Sequence, residues 1–188
     1  MFNFFARLFF KWAGWKVTGV FPYTIPKAVL TVCPHTDWRD FFLGLGTRAT
    51  LHLNIGFLGK EELFKPPFGF IFKWLGGTPV KRDKRTNLVA NQVAAVESVD
   101  NCLFSLAPEG TRKNVEKLKT GFYYMAVQAK IPIIMVGFDY PRKQVIFAPA
   151  FTPSGDFQAD MLTYFVPFFS SIQGVQKDWI RKYQAGEF

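Results

Sequence analysis

The stretch KAVLTVCPHTDWRD, residues 27–40, joins an apolar run to a dense group of titratable side chains. The run from Ala28 to Cys33 is aliphatic and partly β-branched, which predicts a buried strand. His35, Asp37 and Asp40 follow that strand directly. We therefore expect the strand to be buried support and the residues behind it to carry the chemistry.

Similar apolar runs alternate with helical stretches along the chain. Strands are predicted at 28–33, 50–55, 78–80, 102–106, 131–136 and 144–147. Helices are predicted at 2–15, 37–46, 66–75, 86–99 and 120–130, with N-caps at Thr36 or Asp37, at Thr86 or the residue before it, and at Thr120. This alternation predicts an α/β fold: a mostly parallel mixed sheet flanked by helices and preceded by an amphipathic N-terminal helix. Ligands of such sheets bind at the carboxyl ends of the strands.

The composition favours a folded domain with an anionic partner. Of 188 residues, 49% are hydrophobic and 23 are Phe, which excludes a disordered chain. A net charge of +9 indicates nucleic acid or an anionic membrane surface. The sequence contains no recognised nucleic-acid motif, so we expect no nucleic-acid partner. Cys33 and Cys102 lie in apolar strand-like runs, and we expect reduced core thiols in a cytosolic setting.

Residues 1–20 are predicted to form a membrane-association helix ahead of one domain at 21–188. Asn3, Arg7 and Lys11 make a narrow polar stripe, and mostly aromatic and aliphatic side chains cover the rest. Such a helix suits the interfacial layer of a membrane, with its cations reaching the head groups. The alternative is a helix docked into a groove of the domain itself.

The sequence does not predict a membrane-spanning segment. The longest uncharged stretch, 161–176, contains Pro167, and it is shorter than the roughly 20 residues that a spanning helix needs. The N-terminus lacks a basic n-region and carries Arg7 and Lys11 inside its apolar run, which is atypical of a signal peptide. We expect a location at the cytoplasmic face of a membrane, peripheral or monotopic.

His35 is the candidate base. A neutral imidazole accepts a proton when a carboxylate on its other ring nitrogen holds the tautomer. Asp40 can fold back to that nitrogen, and Asp37 is a rival for the role or an N-cap. A pair of this kind is also common as a simple hydrogen-bonded turn. Since His35 and His52 are the only histidines, a His-rich site is impossible and no metal is expected. His52 is interpreted as a satisfied core residue in the strand at 50–55.

A second polar cluster, PEGTR at residues 108–112, also follows a predicted strand. Gly110 permits a tight turn and close approach of a ligand. The fork of Arg112 matches a phosphate, and the hydroxyl of Thr111 can add a bond. Glu109 can orient Arg112 or accept from a substrate hydroxyl. The alternative is a capped turn with a surface ion pair.

These pieces resemble the blocks of the glycerolipid acyltransferase superfamily, of the 1-acylglycerol-3-phosphate acyltransferase type. The first block, His followed after four residues by Asp, corresponds to His35 and Asp40. The second, an arginine after a short strand that starts with glycine, corresponds to Arg82, which stands two residues beyond Val80. The third, Glu-Gly-Thr-Arg, is intact at 109–112, and the fourth is the proline-led strand IPII.

The chain departs from this pattern at three places. Pro34 and Asp37 stand where the family often has Asn and a small hydroxyl residue, and Lys81 stands where the second block often has an acidic residue. These differences concern the acceptor more than the reaction.

The resemblance implies an acyltransferase domain at 21–188. It would move a fatty acyl group from an acyl thioester to the hydroxyl of a lysophospholipid such as 1-acylglycerol-3-phosphate. His35, oriented by Asp40, is the implied base. The implied substrate-binding residues are Arg82, Glu109, Gly110, Thr111 and Arg112. The donor is acyl-CoA or an acyl carrier protein, with no bound cofactor. Two alternatives stay open: an acceptor without phosphate, such as an amino-acid lysolipid, and hydrolysis of an acyl thioester or a lipid.

Overall fold

A mixed sheet forms the centre of the computed structural model, which describes residues 2–80, 88–174 and 177–188. Its strands are β1 (Lys16–Thr18), β2 (Lys27–Cys33), β3 (Ile55–Lys60), β4 (Gly77–Val80), β5 (Cys102–Leu106), β6 (Ile133–Asp139) and β7 (Gln144–Phe147). They lie in the order β1-β7-β6-β2-β5-β3-β4. Neighbours are parallel except for β6 and β7. The predicted mostly parallel mixed sheet is therefore confirmed.

Helices cover both faces of this sheet. They are α1 (Phe2–Trp12), α2 (Arg39–Thr50), α3 (Gly69–Trp74), α4 (Leu88–Glu97), α5 (Gly121–Gln128), α6 (Phe157–Asp160), α7 (Val166–Ser171) and α8 (Asp178–Gln184), with a 3₁₀ turn at Glu61–Phe64 and a π-helical turn at Met161–Phe165. Helices α1, α2 and α3 lie on one face, and α4, α5, α7 and α8 lie on the other. The result is the predicted α/β architecture.

Strand β2 serves both layers because its side chains alternate. Ala28 and Leu30 pack into the core under α1 and α2. Val29 and Cys33 pack into the core under α4 and α5. A strand buried on both faces reads as a continuous apolar run, and this is why the run was recognisable as a strand.

Helix α1 is docked on one side and exposed on the other. Phe10 is buried against α2, where a Cβ on Gly46 would lie only 2.6 Å from its ring. The side chains of Phe4, Phe5, Leu8, Phe9 and Trp12 remain exposed. The groove-docked alternative thus describes one side of the helix, and the other side keeps an apolar surface outward. No helix in the described ranges is long and apolar enough to cross a bilayer.

The strand predicted at 50–55 is wrong. Helix α2 continues to Thr50, and the backbone N–H groups of Leu51 and Leu53 still bond to carbonyls of its last turn. Leu51 and Leu53 alternate with polar residues, which is the pattern typical of a strand, but they pack against the core from a turn. His52 is accordingly not a core residue: it is exposed at φ 56°. Strand β3 begins at Ile55 and contains two glycines, which weakened its sequence signal.

The predicted helix caps also need correction. Helix α2 begins at Arg39 with Trp38 in the N-cap position, not Thr36 or Asp37. The carboxylate of Asp37 still accepts the Arg39 N–H at 2.8 Å, so it acts as a local turn acceptor. Thr120 does occupy the N-cap position of α5, but its side chain makes no capping bond. Thr86 lies outside the described residues.

Two parts of the sheet and its cover were not predicted. Strand β1 pairs with β7 in parallel at the sheet edge, within the stretch expected to be only a helix and connector. No element was predicted beyond Phe147, yet α7 and α8 supply the buried Phe169 and Trp179. Aromatic residues without clear periodicity gave no usable signal there.

Candidate active site

The first and third sequence blocks lie side by side because β2 and β5 are parallel neighbours. Both strands end at the same edge, so the His35 loop and the turn that begins at Glu109 meet there. Nδ1 of His35 lies 3.0 Å from Oδ2 of Asp40. In the tautomer that donates this bond, Nε2 is unprotonated and can accept a proton. The side chain of His35 is 27% exposed and that of Asp40 is 2% exposed.

The carboxylate of Asp40 receives several donors besides the imidazole. The backbone N–H groups of Thr36 and Asp37 donate to Oδ2 at 2.8 and 3.0 Å. The hydroxyl of Tyr140 donates to Oδ1. Burial acts to raise the pKa of Asp40, but the bonds from His35, Asp37, Tyr140 and Thr36 outweigh burial and hold the pKa below its usual range. Asp40 therefore remains an acceptor for the imidazole at neutral pH.

Asp37, the rival orienting residue, is engaged elsewhere. Its Oδ1 lies 3.0 Å from Nε of Arg39. The hydrogen bonds from Arg39 lower the pKa of Asp37. The backbone N–H groups of Thr36, Asp37 and Arg39 all donate to carboxylates. These three N–H groups are thus already engaged and are not available to stabilise an oxyanion.

Glu109 supports the His35 loop through a backbone hydrogen bond. Its Oε2 accepts the backbone N–H of His35 at 2.6 Å. Its Oε1 accepts the thiol of Cys33 at 3.4 Å, and the residue is only 6% exposed. Burial raises the pKa of Glu109, and the bond from the His35 N–H partly offsets that effect. The contacts of Glu109 are those of a residue that positions His35, not of one that orients Arg112.

Cys33 is a buried thiol, as expected. Burial and the neighbouring Glu109 raise its pKa well above the usual range. A thiol in this state is a poor nucleophile. Both Cys33 and Cys102 are free.

Tyr140 is a site residue that sequence reasoning missed. It directly follows β6, which neighbours β2, so its hydroxyl reaches Asp40. The ring of Trp15, one residue before β1, meets the ring of Tyr140 edge-on, with the ring centroids 5.2 Å apart. Burial and the Asp40 carboxylate raise the pKa of Tyr140, so its hydroxyl stays a donor. The sequence signal for Tyr140 was a hydroxyl-bearing residue at the end of a strand. Its contact with Asp40 could be recognised only once the order of the strands in the sheet was known.

We expect Tyr140→Phe to lower kcat about tenfold, because a hydrogen bond to a charged group is worth about 1.5–3 kcal/mol. KM should change little. Losing a donor raises the pKa of Asp40, so the acidic limb of the pH–rate profile should move to higher pH. Steady-state kinetics across pH measure both effects. Tyr124→Phe, at an exposed ring on α5, is the control; an unmoved acidic limb would show that the Tyr140 hydroxyl is only structural.

The Glu-Gly-Thr-Arg turn presents its last residues outward. Gly110 has φ 64°, which a residue with a side chain adopts only with strain. The hydroxyl of Thr111 accepts the backbone N–H of Lys113 at 3.3 Å. Arg112 is exposed and lines the same cavity as His35. Arg82 lies outside the described residues.

An elongated cavity of about 410 Å³ extends from these residues beneath α2. His35, Asp40 and Arg112 line its polar part, and its lining elsewhere is largely apolar, including Leu30, Phe41 and Ile55. Ile55, which lines the cavity, lies level with Ala28 at the start of β2, because both residues pair with Leu103 of β5. His35, which also lines the cavity, stands just beyond Cys33 at the end of β2. The strand rises about 17 Å from Ala28 to Cys33, at ~3.3 Å per residue, so the cavity spans on the order of the length of β2.

The described part of the chain offers no grouping of three His, Cys, Asp or Glu side chains that could hold a metal ion.

A family model described as Acyltransferase matches residues 16–139. The chain belongs to the acyltransferase family. The matched range contains the His35–Asp40 pair, the Glu109–Arg112 turn and β2 to β6. The resemblance seen in the sequence blocks is thus confirmed at the level of the family.

A solved structure shows that the acyltransferase fold extends over the whole chain. The crystal structure of the 1-acyl-sn-glycerophosphate acyltransferase PlsC from Thermotoga maritima is similar with a TM-score of 0.59 and 20% sequence identity. The likeness covers 98% of this chain and 78% of that one. It includes the helices beyond the family match, which are therefore part of the acyltransferase fold here. No curated protein sequence matches this chain.

Proposed function

We propose that this acyltransferase moves a fatty acyl group from an acyl thioester to the hydroxyl of a lysophospholipid such as 1-acylglycerol-3-phosphate. The observation that carries the proposal is the shared cavity. The His35–Asp40 pair and Arg112 line one part of it, and the rest of the cavity, called the channel below, is largely apolar. That combination suits an acceptor with an anionic head beside His35 and a fatty acyl chain, carried by the thioester, in the apolar part.

The chemistry follows from the arrangement of His35. Its Nε2 takes the proton of the acceptor hydroxyl while Nδ1 donates to Asp40, which stabilises the imidazolium that forms. The acceptor oxygen then forms a bond to the thioester carbonyl carbon. The C–S bond breaks, and the sulfur leaves as a thiolate that can take the proton from the imidazolium. No covalent acyl-enzyme is required, and the buried Cys33 is unsuited to form one.

The head of the acceptor is expected to meet cations. Arg112 lines the cavity beside His35, and its guanidinium fork matches a phosphate. Arg82 and the hydroxyl of Thr111 remain proposed further partners. Glu109 contributes by holding the His35 backbone instead of touching the acceptor. The exposed aromatic side of α1 is the proposed contact with an anionic membrane at its cytoplasmic face.

The apolar channel is expected to hold the acyl chain. Leu30→Phe replaces a leucine side chain in the channel wall by a larger aromatic ring, which reduces the space for the acyl chain. The enzyme's preference should therefore shift toward shorter acyl thioesters. Overpacking costs about 1–3 kcal/mol, which the fold should tolerate. Competition assays with C10 to C18 thioesters (lengths spanning roughly the strand's extent) report the ratio of kcat/KM. Leu43→Phe, at a buried position outside the channel lining, is the matched control. An unchanged chain-length profile would place the acyl chain elsewhere.

The direct test is a transfer assay with labelled acyl thioester and a panel of lysolipids. The panel contains 1-acylglycerol-3-phosphate, an acceptor without phosphate, an amino-acid lysolipid, and no acceptor. We expect labelled diacyl product with the phosphate acceptor and little free fatty acid without acceptor. Equal release of fatty acid in all arms would contradict transfer and favour hydrolysis.

A further inference from the structure

We infer that the exposed surface around α3 docks onto a lipid bilayer as a second contact besides α1. This inference rests on the proposed function, since only a lipid substrate requires it. The surface, called the α3 patch, consists of Leu63, Phe68, Phe70, Ile71 and Trp74. These side chains are exposed by 44, 64, 70, 37 and 68%. Large apolar side chains grouped on a surface mark interaction sites.

The α3 patch adjoins the cavity that His35 lines. Leu63 itself lines the channel, as does Phe72 of α3. Trp38 and Phe42, at the entry of α2, line it too and are 61 and 51% exposed. Leu63, Trp38 and Phe42 therefore belong both to the cavity lining and to the exposed surface, so the cavity meets the surface among large apolar side chains. A lysolipid that moves from a docked bilayer to His35 would keep apolar contact on the way.

The position of the α3 patch favours a membrane over a second copy of the chain. Helices α1, α2 and α3 lie on the same face of the sheet, so the patch and the exposed side of α1 belong to one layer. The exposed Lys65 and Lys73 flank the patch. Ammonium groups beside aromatic side chains suit anionic head groups. A bilayer is a single surface that can meet both the α3 patch and the exposed side of α1.

The test compares vesicle binding of two double variants without any substrate. Phe68→Ser with Phe70→Ser removes two rings of the α3 patch. Tyr124→Ser with Leu162→Ser removes side chains of 45 and 43% exposure on the opposite layer. Sedimentation with phosphatidylglycerol–phosphatidylethanolamine vesicles should show affinity lowered about tenfold per removed Phe, since an apolar side chain contributes about 1.5–3 kcal/mol when buried. The control pair should bind like the wild type.

A second variant keeps the test decisive if the serine pair unfolds. Lys65→Glu with Lys73→Glu should weaken binding to the anionic vesicles and leave binding to neutral vesicles unchanged. Unchanged binding by the folded variants would overturn the inference. So would a wild-type dimer in sedimentation velocity that the serine pair abolishes, because a second copy would then occupy the patch.

The vesicle-binding result can be interpreted independently of the proposed function. On monodisperse short-chain lysolipid the Phe68→Ser, Phe70→Ser variant should transfer acyl groups at the wild-type rate. If the wild type transfers to no acceptor at all, the proposed function fails while the vesicle result still decides the docking surface.

Discussion

His35→Ala is expected to lower the rate of acyl transfer about 10³-fold or more, because a positioned general base contributes about 10²–10⁴-fold. Asp40 holds Nδ1 at 3.0 Å and is itself held by backbone and Tyr140 donors, so no mobile group replaces the lost imidazole. KM should change less than kcat, since the base acts mainly in the transition state. Single-turnover measurements with labelled thioester give the chemical rate directly.

The other histidine provides the matched control. His52 is exposed in a turn, with Nε2 lying 3.5 Å from Nη1 of Arg7, and it does not line the channel. His52→Ala should therefore transfer acyl groups like the wild type. Comparable rates for the His35 and His52 variants would eliminate the proposed base, whatever the acceptor.

Glu109→Gln is expected to lower kcat about 10²-fold with little change in KM for either substrate. The carboxylate accepts both the His35 N–H and the Cys33 thiol, whereas an amide keeps one acceptor oxygen and places an NH₂ donor where the second acceptor is needed. A buried N–H left without its acceptor costs about 1–3 kcal/mol, which would displace the His35 backbone. A misplacement of about 1 Å near the chemistry can cost about 10² in rate.

A substrate-binding role for Glu109 predicts the opposite kinetics: a raised KM for the acceptor with kcat kept. Glu116→Gln serves as the control because its exposed carboxylate pairs with Lys182 at 2.9 Å and does not contact the His35 loop in the described part of the chain.

Stability against pH gives an independent readout for Glu109. Since burial raises its pKa in the fold, the folded chain holds the proton longer than the unfolded chain does. Stability should therefore decline as pH rises from about 4.3, the ordinary Glu value, through the folded-state pKa. Urea unfolding should show that slope in the wild type and its loss in Glu109→Gln.

The pair of His35 and Asp40 was predictable from the sequence because its spacing is local. Five residues bring the carboxylate back to the ring whatever the rest of the chain does. That this pair and the Glu109 turn lie at the same edge of the sheet was predictable for a related reason: both follow strands of a parallel sheet, although their contact also requires β2 and β5 to be neighbours. Local spacing and a general rule of sheet topology were sufficient to predict at which edge of the sheet these groups lie.

Roles that depend on strand order were not predictable. Tyr140 reaches Asp40 only because β6 lies next to β2, and the sequence does not state which strands are neighbours. Glu109 was expected either to orient Arg112 or to accept from a substrate hydroxyl, whereas its carboxylate is buried and accepts the His35 N–H. The Leu51–Ile55 alternation misled because period two occurs by chance over so short a stretch.

Tyr140 has a consequence for which residues this position can accept. Its ring supports Trp15, which anchors the junction behind the first helix, while its hydroxyl serves the acid beside the imidazole. Phenylalanine would preserve the support and lose the donor; glutamine would preserve a donor and lose the aromatic support. Tyrosine supplies both the aromatic ring and the hydroxyl donor, so the packing of the N-terminal segment and the hydrogen bonding of Asp40 depend on the same side chain.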